Sequence, residues 1–170
     1  MVVGQDVNNP GPMYFDAIAP AVRLLGPWVG LAAGVMLVNM AASSLAVVVA
    51  RRISGAESMV AVAVAVVGLQ FALGSELLFD VWQPNALVLP FFAFLVVAAV
   101  LAMGDVVMAP WVVGLGSLLV QTHMSHTAAV SVVTAVGMGL CVVAVRRGGR
   151  PERLRGPLVW TGVVAVVAWV

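Results

Sequence analysis

Glu76 and Asp80 stand four residues apart, and His123 and His126 stand three apart, spacings at which paired side chains can do chemistry. On a helix, the i, i+4 spacing turns both carboxylates the same way, as a divalent-cation site or an acid/base pair requires. A solvated helix end accounts for the same pair. Two imidazoles at i, i+3 also meet on one helix face, but zinc takes three or four ligands and the sequence names no others. Hydrogen bonding to a phosphate or sugar fits the histidines too, as does an interfacial loop with no special role. Arg23 is the most suggestive single cation. Its guanidinium can grip a phosphate bidentately, or it can simply snorkel to ordinary lipid headgroups. Asn39 and Ser43, again four apart, fit a hydrogen bond between helices, worth about 0.6 kcal/mol in membrane proteins.

The elements that hold these residues follow from composition. Of the 170 residues, 63% are hydrophobic and only 9% are charged, well short of the roughly 25% charged residues of a soluble domain. The apolar residues fall into blocks: Trp28 to Ala50, Met59 to Phe79, Ala86 to Met103, Val106 to Val120, and Ala128 to Val145. A helix crossing the bilayer needs about 20 such residues. Many of these positions are β-branched, but there is no period-2 alternation. A membrane also requires each segment to satisfy its own backbone, so the blocks read as helices. The fourth block is short and borrows Gln121 and Thr122. A sixth, Pro157 to Val170, reads as a truncated span. The chain is therefore an all-α polytopic helical membrane protein: about five full transmembrane helices, a truncated sixth and an N-terminal interfacial helix. Cys141 is the single cysteine, which excludes an internal disulfide framework. No basic patch with interleaved aromatics suggests nucleic acid, and no signal peptide is visible.

The arginines orient the bundle. Arg51 and Arg52 close the first block, and Arg146, Arg147, Arg150, Arg153 and Arg155 precede the sixth. Alternating spans puts all seven on one side, which the positive-inside rule makes cytoplasmic. Residues 1–27, "FDVWQPN" (79–85) and "QTHMSHT" (121–127) then share the outer face of the plasma membrane. Polar residues at the midplane are few: Asn39, Gln70, Ser131 and Thr134. The ionisable ones, Asp6, Asp16, Arg23, Glu76, Asp80, His123 and His126, gather at the outer interface. That distribution suits a substrate with a lipid tail and a polar head.

Two parts are distinguished: an outer-face loop and juxtamembrane helix over 1–27, and a transmembrane bundle over 28–170. Met13, Tyr14, Phe15, Ile18, Val22 and Leu25 form an apolar stripe opposite Asp16 and Arg23. This pattern predicts a helix lying in the interface, with Tyr14 and Trp28 at headgroup level. Pro12 fits its first turn, Pro20 would kink it, and Gly26-Pro27 would end it. Gly26, Gly30 and Gly34 recur every four residues, the spacing of close helix packing.

Three stretches together resemble the GT-C superfamily of membrane glycosyltransferases, which includes protein O-mannosyltransferases and lipid A aminoarabinose transferases. They are "NNPGPMYFDAIAPAVRLLG" (8–26), "VWQPNALVLPFFAFLVVA" (81–98) and "SLLVQTHMSHT" (117–127). Bacterial members of this kind carry a His-Pro-Pro or His-Pro-Gly-Pro loop before an aromatic juxtamembrane helix, a Trp-x-Pro loop and a Gln-Thr-His at a later span. Asn9 stands where the family has histidine. The family's catalytic carboxylate lies in a first outer loop after a first transmembrane helix, and no helix precedes residue 8 here. Asp6 is near the right place but fits no family motif.

The resemblance implies a fragment of an enzyme that transfers a sugar from a polyprenyl-phosphate donor to an acceptor at the outer face. Its implied contacts to substrate or lipid phosphate are Asn9, Arg23, Trp82, Gln121 and His123. Arg23 would meet the phosphate, Gln121 and His123 would make polar contacts, and Trp82 would stack on sugar or lipid. No cofactor is called for, a divalent metal has no support, and the partners are the bilayer and the lipid-linked sugar. With the base missing, the isolated chain is expected to be inactive. Two other readings stay open: a small non-catalytic membrane protein that packs against a partner, and a transporter fragment. The latter would want paired polar or broken helices at the midplane.

Overall fold

The computed structural model describes residues 11–148 and 155–169, and among them every regular element is helical. In order these are α1 (Met13–Leu25), α2 (Pro27–Ser54), α3 (Ala56–Leu73), α4 (Gln83–Ala86), α5 (Val88–Ala102), α6 (Ala109–Thr122), α7 (His126–Gly148) and α8 (Arg155–Trp169). Short 3-10 turns at Ser75–Leu78 and Val106–Met108 complete the list. Four segments are long and apolar enough to cross a membrane: Pro27–Ser54, Ala56–Leu73, Gln83–Ala102 and His126–Gly148. Val106–Thr122 and Gly156–Trp169 are shorter apolar helices. The protein is an all-helical membrane protein.

Helix α5 is the centre of the packing. Leu89, Ala93, Phe94, Val97 and Leu101 are each at most 1% exposed, and neighbours surround them on α2, α6 and α7. The opposite case is α3, where Val66 alone is buried while Val60, Val64, Val67 and Phe71 face outward. A helix apolar on every side in that position suits contact with lipid.

The bundle has two ends. At one, Arg52 Nη1 pairs with Asp105 Oδ2 at 2.6 Å, and a methyl added at Gly104 would lie 3.1 Å from Ala144 Cβ. Arg146 and Arg147 lie in the last turn of the same α7. At the far end, and not at the midplane as the sequence suggested, Asn39 Nδ2 donates to the carbonyls of Leu77 (3.2 Å) and Leu78 (3.1 Å) in the loop beyond α3.

Helix α1 lies antiparallel against the first half of α2. A Cβ at Gly30 would come within 2.5 Å of the Ala21 carbonyl oxygen, and one at Gly34 within 2.7 Å of Ile18 Cβ. These two glycines bring the helices together as their spacing predicts. Gly26 acts differently: at φ 81° it turns the chain, with Pro27 at the start of α2. The helix runs through Pro20 without ending. Tyr14, expected at headgroup level, is instead 2% exposed and belongs with Ile18 to the main core. Trp28 is 87% exposed.

One span boundary is corrected. The second apolar block continues to Phe79, but α3 stops at Leu73 because Gly74, at φ 99°, leaves helical geometry. The residues beyond it are apolar for another reason: Leu77 is buried beside Val66 and Leu89.

Candidate functional site

Gln121 organises the far end. It sits in the last turn of α6, 1% exposed, and its backbone carbonyl accepts from Gly11 N at 3.1 Å. Its side-chain Oε1 accepts from Met13 N at 3.3 Å, satisfying one of the N–H groups that the start of α1 leaves unpaired. Its Nε2 donates to the carbonyl of Ala168, in the last turn of α8. One amide therefore joins the beginning of α1, the end of α6 and the end of α8. Nearby, Trp169 Nε1 donates to Ser117 Oγ at 3.1 Å.

These contacts frame a cavity of about 580 Å³ bounded by Gly11, Met13, Asp16, Gln121, Val167 and Trp169 among others. Its wall is amphiphilic. Asp16, the Gln121 amide and the peptide at Gly11 supply polarity, and the valines of α8 supply an apolar face.

The two histidines do not share a helix. His123 ends α6 in an extended conformation and His126 opens α7, with ring centroids 6.1 Å apart at 85°. Ser125 N lies 3.4 Å from His123 Nδ1 and Ser125 Oγ 2.8 Å from it. A backbone N–H can only donate, so Nδ1 is the acceptor and the neutral ring carries its proton on Nε2. His126 packs its ring 5.4 Å from Phe91, and its Nδ1 is buried without a hydrogen-bond partner among the described residues.

Glu76 and Asp80 are also not presented on one helix, because the chain between them is a 3-10 turn followed by a loop. Asp80 organises that loop, accepting from Asn85 Nδ2 at 2.7 Å and Trp82 N at 2.9 Å. The Asn85 bond first, and then the Trp82 N–H, hold its carboxyl below the usual carboxylate range. Among the described residues, no group of three or more His, Cys, Asp or Glu side chains could hold a metal ion.

The expected site residues are thus only partly gathered. Gln121 and His123 stand together at the end of α6. Trp82 is 63% exposed in the Asp80 loop, and no hydrogen bond or aromatic contact among the described residues links it to either of them. Arg23 lies ten residues along α1 from Met13, roughly 15 Å of helix rise, and is exposed near the hairpin tip. There it complements the negative end of the α1 dipole, as Asp16 complements the positive end. Asn9 and Asp6 lie outside the described residues. One contributor escaped the sequence reading, α8, whose last turn closes the cavity; Tyr14 does not line it, though its hydroxyl is buried without a partner among the described residues. Nothing local in the sequence marks that role of α8.

No family model matches the chain, and no curated protein or solved structure matches it.

Proposed function

We propose that the chain is part of an integral-membrane glycosyltransferase that handles a polyprenyl-phosphate-linked sugar at the end of the bundle away from its arginines. The positive-inside rule assigns that end to the outer face of the plasma membrane. The observation that carries this reading is the amphiphilic cavity between α1, α6 and α8. A lipid-linked sugar has the same division, and in this reading its isoprenoid lies along Val163, Val164 and Val167 while its head lies towards Asp16. Asp16 suits a sugar or acceptor hydroxyl, which it can accept from, better than a phosphate, which it would repel. Transfer would need a carboxylate to take the acceptor's proton and positive groups to steady the departing phosphate. Asp6 fits no family motif and no residue is assigned as that base, so binding without turnover is the expected behaviour of the isolated chain.

The test is photo-crosslinking of the purified chain with a benzophenone-bearing polyprenyl phosphate. Labelling should concentrate on α1, α6 and α8 around the cavity and be displaced by a polyprenyl-phosphate sugar. Labelling spread evenly over lipid-facing residues, or displaced equally by bulk phospholipid, would remove the support. A separate assay follows sugar transfer itself, and turnover by the isolated chain would show that the base is present after all.

A further inference from the structure

The arginine end has a feature that the proposed transferase chemistry does not use. Two apolar recesses flank the first turns of α8. The larger, about 560 Å³, opens between α6 and α8 and is walled by Trp111, Gly114, Gly156, Pro157, Trp160 and Val164 among others. The absence of side chains at Gly114 and Gly156 gives it depth, since a Cβ at Gly114 would already touch Val164 at 3.5 Å. Trp111 and Trp160 remain half or more exposed beside it. The smaller recess, about 230 Å³, is bounded by Leu101, Met138, Cys141, Val145 and Arg146, and by Leu158 of α8.

Charge distinguishes this end from an ordinary lipid-facing groove. Arg146 borders the smaller recess and Arg147 follows it, and among the described residues neither forms an ion pair. Asp105, an acid at this end among the described residues, is engaged by Arg52 at 2.6 Å. The N-terminus of the 15-residue α8 borders the same recesses through Gly156, Pro157 and Leu158 and carries a positive partial charge. A positive rim over two apolar recesses matches one kind of molecule, an anionic headgroup with two chains. Basic pockets between transmembrane helices bind anionic phospholipids by this complementarity.

We propose that this end holds an anionic glycerophospholipid of the surrounding leaflet. Its phosphate lies between Arg146 and the first turn of α8, and its acyl chains occupy the two recesses. The larger recess shares Val164 with the cavity at Gln121, but the site's other walls and its arginine are its own.

The two indoles of the larger recess make the proposal measurable. A chain carrying Trp28→Phe, Trp82→Phe and Trp169→Phe keeps Trp111 and Trp160 as its fluorophores. Reconstituted into phosphatidylcholine vesicles, it is titrated with brominated phosphatidylglycerol or brominated phosphatidylcholine. Phosphatidylglycerol is expected to quench at a severalfold lower mole fraction. Arg146→Gln should raise that fraction about fivefold, as expected for one basic residue near an anionic surface, and Arg146→Lys should restore most of it. Gly114→Leu, which fills the larger recess, should weaken quenching by both lipids. Circular dichroism and size exclusion on each variant confirm that the helices and the monodisperse state are kept. Equal quenching by the two lipids, or a preference that Arg146→Gln leaves unchanged, would overturn the proposal. So would stronger quenching by a brominated polyprenyl phosphate, which would give the recess to an isoprenoid.

Discussion

Tyr14 is the only tyrosine in the chain, so its ionisation can be followed alone. Burial pushes its hydroxyl from 10.0 up to about 12. The folded state therefore keeps a proton that the unfolded state loses. Stability is fully present below pH 10.0 and falls as pH climbs towards about 12, by roughly 2–3 kcal/mol at the limit. Tyrosinate absorbance should rise only near the upper value, and Tyr14→Phe should abolish the alkaline fall without lowering stability at neutral pH. A midpoint at the ordinary tyrosine value would show that the ring is wet. Gln121 is the second residue whose deletion has a clear expected outcome. Gln121→Leu strands the Met13 N–H and the Ala168 carbonyl, both part-buried, where a fully buried orphan would cost about 1–3 kcal/mol and these cost less. Gln121→Glu keeps the acceptor for Met13 but turns a carboxylate oxygen against the Ala168 carbonyl at a buried position, so at neutral pH it should destabilise at least as much as Gln121→Leu. Thermal melts in detergent rank the three proteins.

The hairpin of α1 and α2 depends on two positions where a side chain has no room. Gly30→Leu drives atoms into the Ala21 and Val22 backbone, which cannot swing aside as a rotamer can. A loss of at least about 1–3 kcal/mol is expected, together with faster proteolysis within α1. Gly68→Leu is the control, because nothing lies within 4 Å of a Cβ there. Equal effects of the two would mean that the hairpin is not packed as described. The Gly30 and Gly34 spacing was legible in the sequence, because close packing demands small residues at a fixed interval. Their partner was not, because an apolar stripe looks the same whether it faces lipid or a helix. The spans were readable for a similar reason, since bilayer thickness sets a length that composition can meet. The end of α3 was not. Leu77 and Leu78 continue the apolar run, but they serve a loop whose carbonyls Asn39 holds from another helix. Asn39→Leu should release that loop, seen as faster hydrogen exchange over 74–80. Within the site, proximity of Gln121 and His123 followed from chain neighbourhood. The contacts of Gln121 with Met13 and Ala168 span 108 and 47 residues, and no local pattern encodes them.

For the molecule as a whole, the sidedness set by its arginines is open to direct measurement. Cys141 is buried and is the single cysteine, so a Cys141→Ala background accepts single reporters. Ser125→Cys should react with an impermeant maleimide added outside intact cells, whereas Gly148→Cys should react only after permeabilisation. The reverse pattern would invert the topology and move the Gln121 cavity to the cytoplasm. The reach of Gln121 also has a consequence in time. A ribosome adding about 5–20 residues per second needs on the order of ten seconds to make the 108 residues between Met13 and its acceptor. Throughout that interval the first turn of α1 has been synthesised while its anchor has not. The glycine-lined hairpin alone must keep α1 in register until the sixth helix arrives.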